Sequence, residues 1–146
     1  MEALMFDRVL LCADASDNAL RAVDYVIGLR ERLGTPIDIH LLNVQRPVSG
    51  DVSTFVGKGA LRQYHHDNGL KALERARARL DASGLPYTFH LLVGDPAQMI
   101  SQYAREKGCD HIVLGRRGLG SFTGGLLGSV AHKVLHTAEP PVVLVK

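Results

Sequence analysis

The sequence predicts an α/β fold, a mostly parallel sheet covered by helices on both sides. Two observations predict it. Short, continuous apolar runs alternate with longer stretches of helical period. Glycine or proline marks most of the changes between them. Apolar runs without polar alternation suit strands buried on both faces, and strand–helix alternation suits parallel pairing. The 146 residues are expected to form one domain spanning positions 1–146, since domains commonly run to roughly 100–200 residues.

The elements follow in order. Arg8–Cys12 is a buried-strand run. The turn 13–16 ends in Ser16, a suitable cap for a helix with Leu20, Val23, Val26 and Ile27 on one face. Gly34 closes that helix, with Pro36 just beyond. A second strand is expected over 37–44, then a loop over 45–59 rich in glycine and proline. A long charged helix over about 60–82 has a narrow stripe of Leu70, Leu73, Ala76 and Leu80, and Gly84 stops it. Tyr87–Val93 is the third strand. Asp95, Pro96 and Gln98 give a helix start, with Asp95 as cap and Pro96 in the first position. That helix turns Met99, Ile100, Tyr103 and Ala104 inward and ends at Gly108. A fourth strand covers 111–114, a last helix 126–136, and Val142–Val145 is the fifth strand. In doubly wound sheets, ligands sit beyond the carboxyl ends of strands where strand order reverses. Asp14, Val44 and Gly115 fall at three such ends.

Segment 115–129 carries the strongest functional signal. Six of the fifteen glycines fall between 115 and 128. Glycine is entropically unfavourable in a fixed backbone, so such density needs a reason. Close approach of main-chain N–H groups to an anion supplies one. Gly128 and Ser129 sit near the start of the last helix, where unpaired N–H groups and the helix dipole favour phosphate. Arg116 and Arg117 add positive charge. A Walker loop is excluded: Gly115 and Gly120 have its spacing, but Ser121 stands where lysine is required. A dinucleotide fingerprint fails too, because Thr123 replaces its third glycine and the segment follows the fourth strand instead of the first.

Gly115, Gly118, Gly128 and Ser129 fill the pattern Gly-x2-Gly-x9-Gly-Ser/Thr. With Asp14 after strand one, Leu41-Leu42-Asn43-Val44 ending strand two and Gly94-Asp95-Pro96 opening the third helix, the whole chain resembles the ATP-binding universal stress proteins. The resemblance implies a Rossmann-like sheet of five strands in order 3-2-1-4-5 with four helices. It implies that Asp14 contacts the nucleoside, that Val44 reads adenine through its backbone, and that Gly115 lies against the ribose. Gly118, Gly128, Ser129 and the N–H of Val130 would hold the phosphates. ATP, ADP or AMP is the implied ligand, with magnesium or manganese riding on the phosphates. A homodimer through the last strand, Val142–Val145, is also implied, and an apolar edge strand invites such pairing. Two positions depart from the family. Arg116 stands where a small residue is usual, and Ala15 replaces the glycine of the usual Asp-Gly-Ser turn. Without the resemblance, Asp14 serves equally well as a helix cap and Val44 as a plain strand residue.

Composition excludes several classes. Seventeen basic and fifteen acidic residues leave a net charge of +2, too little to argue for nucleic acid or a membrane surface. Residues 9–13 are too short an apolar run for a membrane span or signal core. Cys12 and Cys109 read as buried free thiols of a reducing compartment, which places the protein in the cytoplasm. His132 and His136 have metal-binding spacing but no third ligand nearby, so a solvated helix face is expected. The glycine segment holds no carboxylate, and fast phosphoryl transfer needs a base and metal ligands. The function expected is therefore nucleotide binding in a stress response, with at most slow ATP hydrolysis and no named catalytic residue. Two alternatives stay open: an enzyme acting on an adenylated or other nucleotide, and a nucleotide-free dimeric interaction module.

Overall fold

The computed structural model describes residues 5–50, 55–116 and 127–146. Its strands are β1 (Arg8–Cys12), β2 (Asp38–Gln45), β3 (Tyr87–Val93), β4 (His111–Gly115) and β5 (Val142–Val145). All pair in parallel, in the order β3-β2-β1-β4-β5. Four helices are described: α1 (Asp17–Leu33), α2 (Lys58–Ser83), α3 (Pro96–Glu106) and α4 (Ser129–Thr137). The result is the Rossmann-like, doubly wound arrangement expected from the alternation of apolar runs.

β1 is central, which is why its run is apolar without a break. Val9, Leu10 and Leu11 are all completely buried. Their side chains alternate between the two faces. Val9 and Leu11 join a cluster with Val23 and Val26 of α1 and Leu73, Ala76 and Leu80 of α2. Leu10 joins Ile100 and Ala104 of α3 and Ala131 and Val134 of α4 on the other face. At the amino end of the sheet, the Asp110 carboxylate accepts the N–H groups of Asp7 (2.9 Å) and Arg8 (2.7 Å). That clamp locks the start of β1 beside β4.

The caps work as their residue types require. The Ser16 hydroxyl accepts from Ala19 N–H at 3.1 Å, and the Asp95 carboxylate accepts from Gln98 N–H at 3.1 Å. Gly34 (φ 68°) and Gly84 (φ 75°) end α1 and α2 in the left-handed region that disfavours other residues. Ser16→Ala is expected to lower stability by about 1 kcal/mol, read as a shift of the urea midpoint at unchanged slope.

Two helix boundaries differ from expectation. α2 begins at Lys58, because Gly57 serves as an extended N-cap (φ −66°, ψ 157°) instead of belonging to the loop. α4 begins at Ser129, three residues later than the periodicity suggests, because Gly128 takes the same extended N-cap conformation (φ −65°, ψ 153°).

Candidate functional site

The crevice lies where the doubly wound topology demands, beyond the carboxyl ends of β1, β2 and β4. It is a cavity of about 230 Å³. β1 contributes Cys12 and, just past its end, Ala13 and Asp14; β2 contributes Leu42, Asn43 and Val44; β4 contributes Leu114 and Gly115. The start of α4 supplies Ser129, Val130 and Ala131, with Gly128 before it. Asp14, Val44, Gly115, Gly128, Ser129 and Val130 are thus brought to one cavity from four separate parts of the chain. Gly118 lies outside the described residues.

Local chemistry holds these groups in place. The Asp14 carboxylate accepts the N–H of Ser16 at 2.8 Å, an Asx turn that lifts the chain from β1 into α1. Ala15 needs no special backbone there: among the described residues, none other than glycine has positive φ. Ala13 N–H donates to the Leu42 carbonyl (3.0 Å), carrying the β1–β2 pairing to the cavity rim. Asn43, only 5% exposed, donates from Nδ2 to the Ala13 carbonyl (2.9 Å) and accepts from Gln45 Nε2 (2.6 Å). Asn43 thus adds a side-chain tie between the strand carrying Val44 and the turn carrying Asp14. Sequence reasoning missed it, although a polar residue inside an apolar strand run was a usable signal.

Gly115 is glycine for a steric reason. A Cβ there would lie 2.9 Å from the carbonyl carbon, carbonyl oxygen and Cβ of Asn18, so α1 could not approach β4 as it does. Arg116 follows. Its N–H donates to the Val145 carbonyl (2.8 Å), and its own carbonyl accepts the Gly128 N–H (2.9 Å). The last bond brings the two ends of the glycine segment together. It also engages the Gly128 amide, one of those that the family pattern would offer to phosphate.

The next three amides are different. The N–H groups of Ser129, Val130 and Ala131 have no acceptor among the described residues, as the first turn of a helix requires. Arg116 also lines the cavity, and its Nε is buried without a hydrogen-bond partner among the described residues. Arg46, which sequence reasoning overlooked, lines the cavity as well. Among the described residues, three unpaired helix N–H groups and two guanidinium groups oppose a single lining carboxylate, Asp14. Such a balance favours an anion.

Thiol chemistry is disfavoured. Burial, with the nearby Cys109 adding to it, pushes the Cys12 thiol far above its ordinary value. Burial, only partly offset by Arg8, pushes Cys109 up to about 11. Neither is a thiolate near neutral pH. His132 and His136 meet edge-on at 4.7 Å between ring centroids, and both are exposed. Among the described residues, no group of three or more His, Cys, Asp or Glu could hold a metal ion, and no helix is long and apolar enough to cross a membrane.

Strand order, a crevice at the switch point and a glycine-bordered helix start define a doubly wound, Rossmann-like α/β protein. Comparison narrows the class. The model of the universal stress protein family matches residues 5–146, and the chain belongs to that family. It is 30% identical to universal stress protein YxiE of Bacillus subtilis, over 97% of this chain and all of that one. A universal stress protein of Thermus aquaticus is 33% identical, again over 97% of this chain and all of the relative. Among solved structures, MJ0577 of Methanocaldococcus jannaschii superposes with a TM-score of 0.81 at 25% identity, covering 97% of this chain and 96% of that one. A universal stress protein in complex with cAMP superposes with a TM-score of 0.70 at 26% identity, covering 96% and 97%.

Proposed function

We propose that the chain binds an adenine nucleotide in the β1/β4 crevice and acts in a cytoplasmic stress response as a nucleotide-dependent binding protein. The observation that carries this reading is the set of unpaired N–H groups of Ser129, Val130 and Ala131 beside the unpaired Arg116 Nε. Buried polar groups rarely lack partners, so an orphan at a cavity wall asks for one. Phosphate oxygens answer both features. Ser129 and Val130 hold the phosphates, with Gly118 completing the family pattern. Asp14 accepts from the ribose hydroxyls or the adenine amino group. The Val44 main chain, positioned through Asn43, meets the adenine edge, and Gly115 borders the ribose. The 26% identical relative that holds cAMP supports the adenine assignment.

ATP is the preferred ligand, with a magnesium or manganese ion carried on its phosphates. Asp14 is the only carboxylate lining the described cavity. Hydrolysis is therefore slow at most, since among the described residues no second acid lines the cavity to position water or hold metal. β5 lies at a sheet edge, and its four apolar residues are only half-buried. We assign it to antiparallel pairing in a homodimer.

Calorimetry with ATP, ADP and AMP tests the reading. Saturable binding of at least one is expected. Asp14→Asn keeps an acceptor for the Ser16 N–H but loses the charge. It is expected to weaken binding roughly tenfold or more, the effect of a charge-assisted hydrogen bond. No binding of any of the three at about 1 mM, an affinity weaker than −4 kcal/mol, defeats the proposal.

A further inference from the structure

A second concavity lies beside β3, at the sheet edge opposite β5. Its lining shares no residue with the crevice described above. α2 and β3 are in tight contact at one point. A Cβ on Gly69 would come within 2.8 Å of Leu91 Cδ2, so glycine lets the helix press on the strand there. Nearer the start of α2 the two separate, and a groove of about 670 Å³ opens between them. That volume falls within the range of small-molecule sites, about 300–1,000 Å³.

The groove is two-sided in character. Leu61, Leu91 and Val93 make an apolar wall, continued by Pro47 and Val48. Val93 is 46% exposed, a large apolar residue left uncovered at the end of an edge strand. Lys58, Arg62, His65 and His66 line the same groove from the first turns of α2. None of the ion pairs among the described residues includes any of the four. The later half of the helix behaves differently. Arg75 pairs with Asp17 at 2.9 Å and Arg79 with Asp24 at 2.6 Å, both acids on α1. The basic groups are thus neutralised where α2 meets α1 and left uncompensated where it faces the groove. His65 Nδ1, in addition, is buried without a hydrogen-bond partner among the described residues.

We propose that this groove binds a small amphiphilic anion, a monocarboxylate with an apolar chain. The hydrocarbon lies along Leu61, Leu91 and Val93, and the carboxylate faces Lys58, Arg62 and the His65 ring. Charge complementarity selects the head group, and the apolar wall selects the body. A polyanion such as nucleic acid would gain nothing from that wall.

Decanoate is the probe, with 1-decanol as its neutral analogue, followed by amide chemical-shift mapping on the whole chain. Saturable shifts are expected around residues 58–66 and 91–93. Lys58→Glu combined with Arg62→Glu is expected to keep the parent circular dichroism spectrum and to weaken decanoate roughly tenfold or more, as loss of charge-assisted contacts does. Decanol is expected to bind at least as weakly as decanoate binds that variant. Three results overturn the proposal: no saturable shift, shifts centred on the Asp14–Gly115 crevice instead, or equal affinity for decanol. Tighter binding of an acidic peptide than of decanoate also overturns it, in favour of a protein partner.

Discussion

Gly115→Val is expected to lower stability by about 3 kcal/mol, the upper part of the range for overpacking, and to remove nucleotide binding. The first atom added already meets the Asn18 main chain at 2.9 Å. Neither side can yield easily. β4 is held between β1 and β5, with Gly115 in register with Val145. Asn18 lies in the first turn of α1, tied by the Ser16 cap, and Arg21 one turn on donates to the Lys146 carbonyl at 2.9 Å. The strain therefore pushes the start of α1 away from the sheet, and Asp14 moves with it. Urea denaturation reads the first effect and nucleotide calorimetry the second. Parental stability in this variant would show that α1 slides freely over β4, and the steric account of Gly115 would fail.

Leu11→Ala is expected to cost about 3 kcal/mol, within the range for emptying a fully buried leucine site. Leu11 has no exposed surface and sits in the central strand, in register with Leu41 on one side and Val113 on the other. Helices and flanking strands enclose it, so the space cannot collapse readily. A fall of roughly 10 °C in Tm follows for a chain of this size. Leu135→Ala is the control. Leu135 is 46% exposed on α4, and its loss is expected to stay within about 0.5 kcal/mol. Comparable losses for the two variants would contradict the assignment of the core.

The fold was legible because each strand carries its environment in its composition. Val9, Leu10 and Leu11 are apolar on both faces because helices cover both, and Ser16, Asp95 and Gly34 act locally, through bonds to neighbours a few residues away. The crevice was legible for the related reason that parallel strands all end on one side. Asp14, Val44 and Gly115 could be grouped before any contact was known. What escaped notice depends on pairs distant in sequence. Asn43 matters through the Ala13 carbonyl, thirty positions away. The Gly128 amide is taken by a carbonyl across the glycine segment. The division of basic groups on α2 depends on which half of the helix crosses α1. No local pattern of charge reveals a crossing point.

The strand order has a consequence for biosynthesis. β1 leaves the ribosome first, yet Val9 pairs on one side with Ile39 and on the other with His111. A nascent chain halted before β4 therefore holds its most apolar strand open along one edge, with α4 not yet made to complete the cover over Leu10. Unpaired edges and uncovered apolar surface are what holding chaperones recognise. Synthesis of this chain thus passes through a stage of one-sided exposure that lasts until β4 closes the edge and the last helix covers the face.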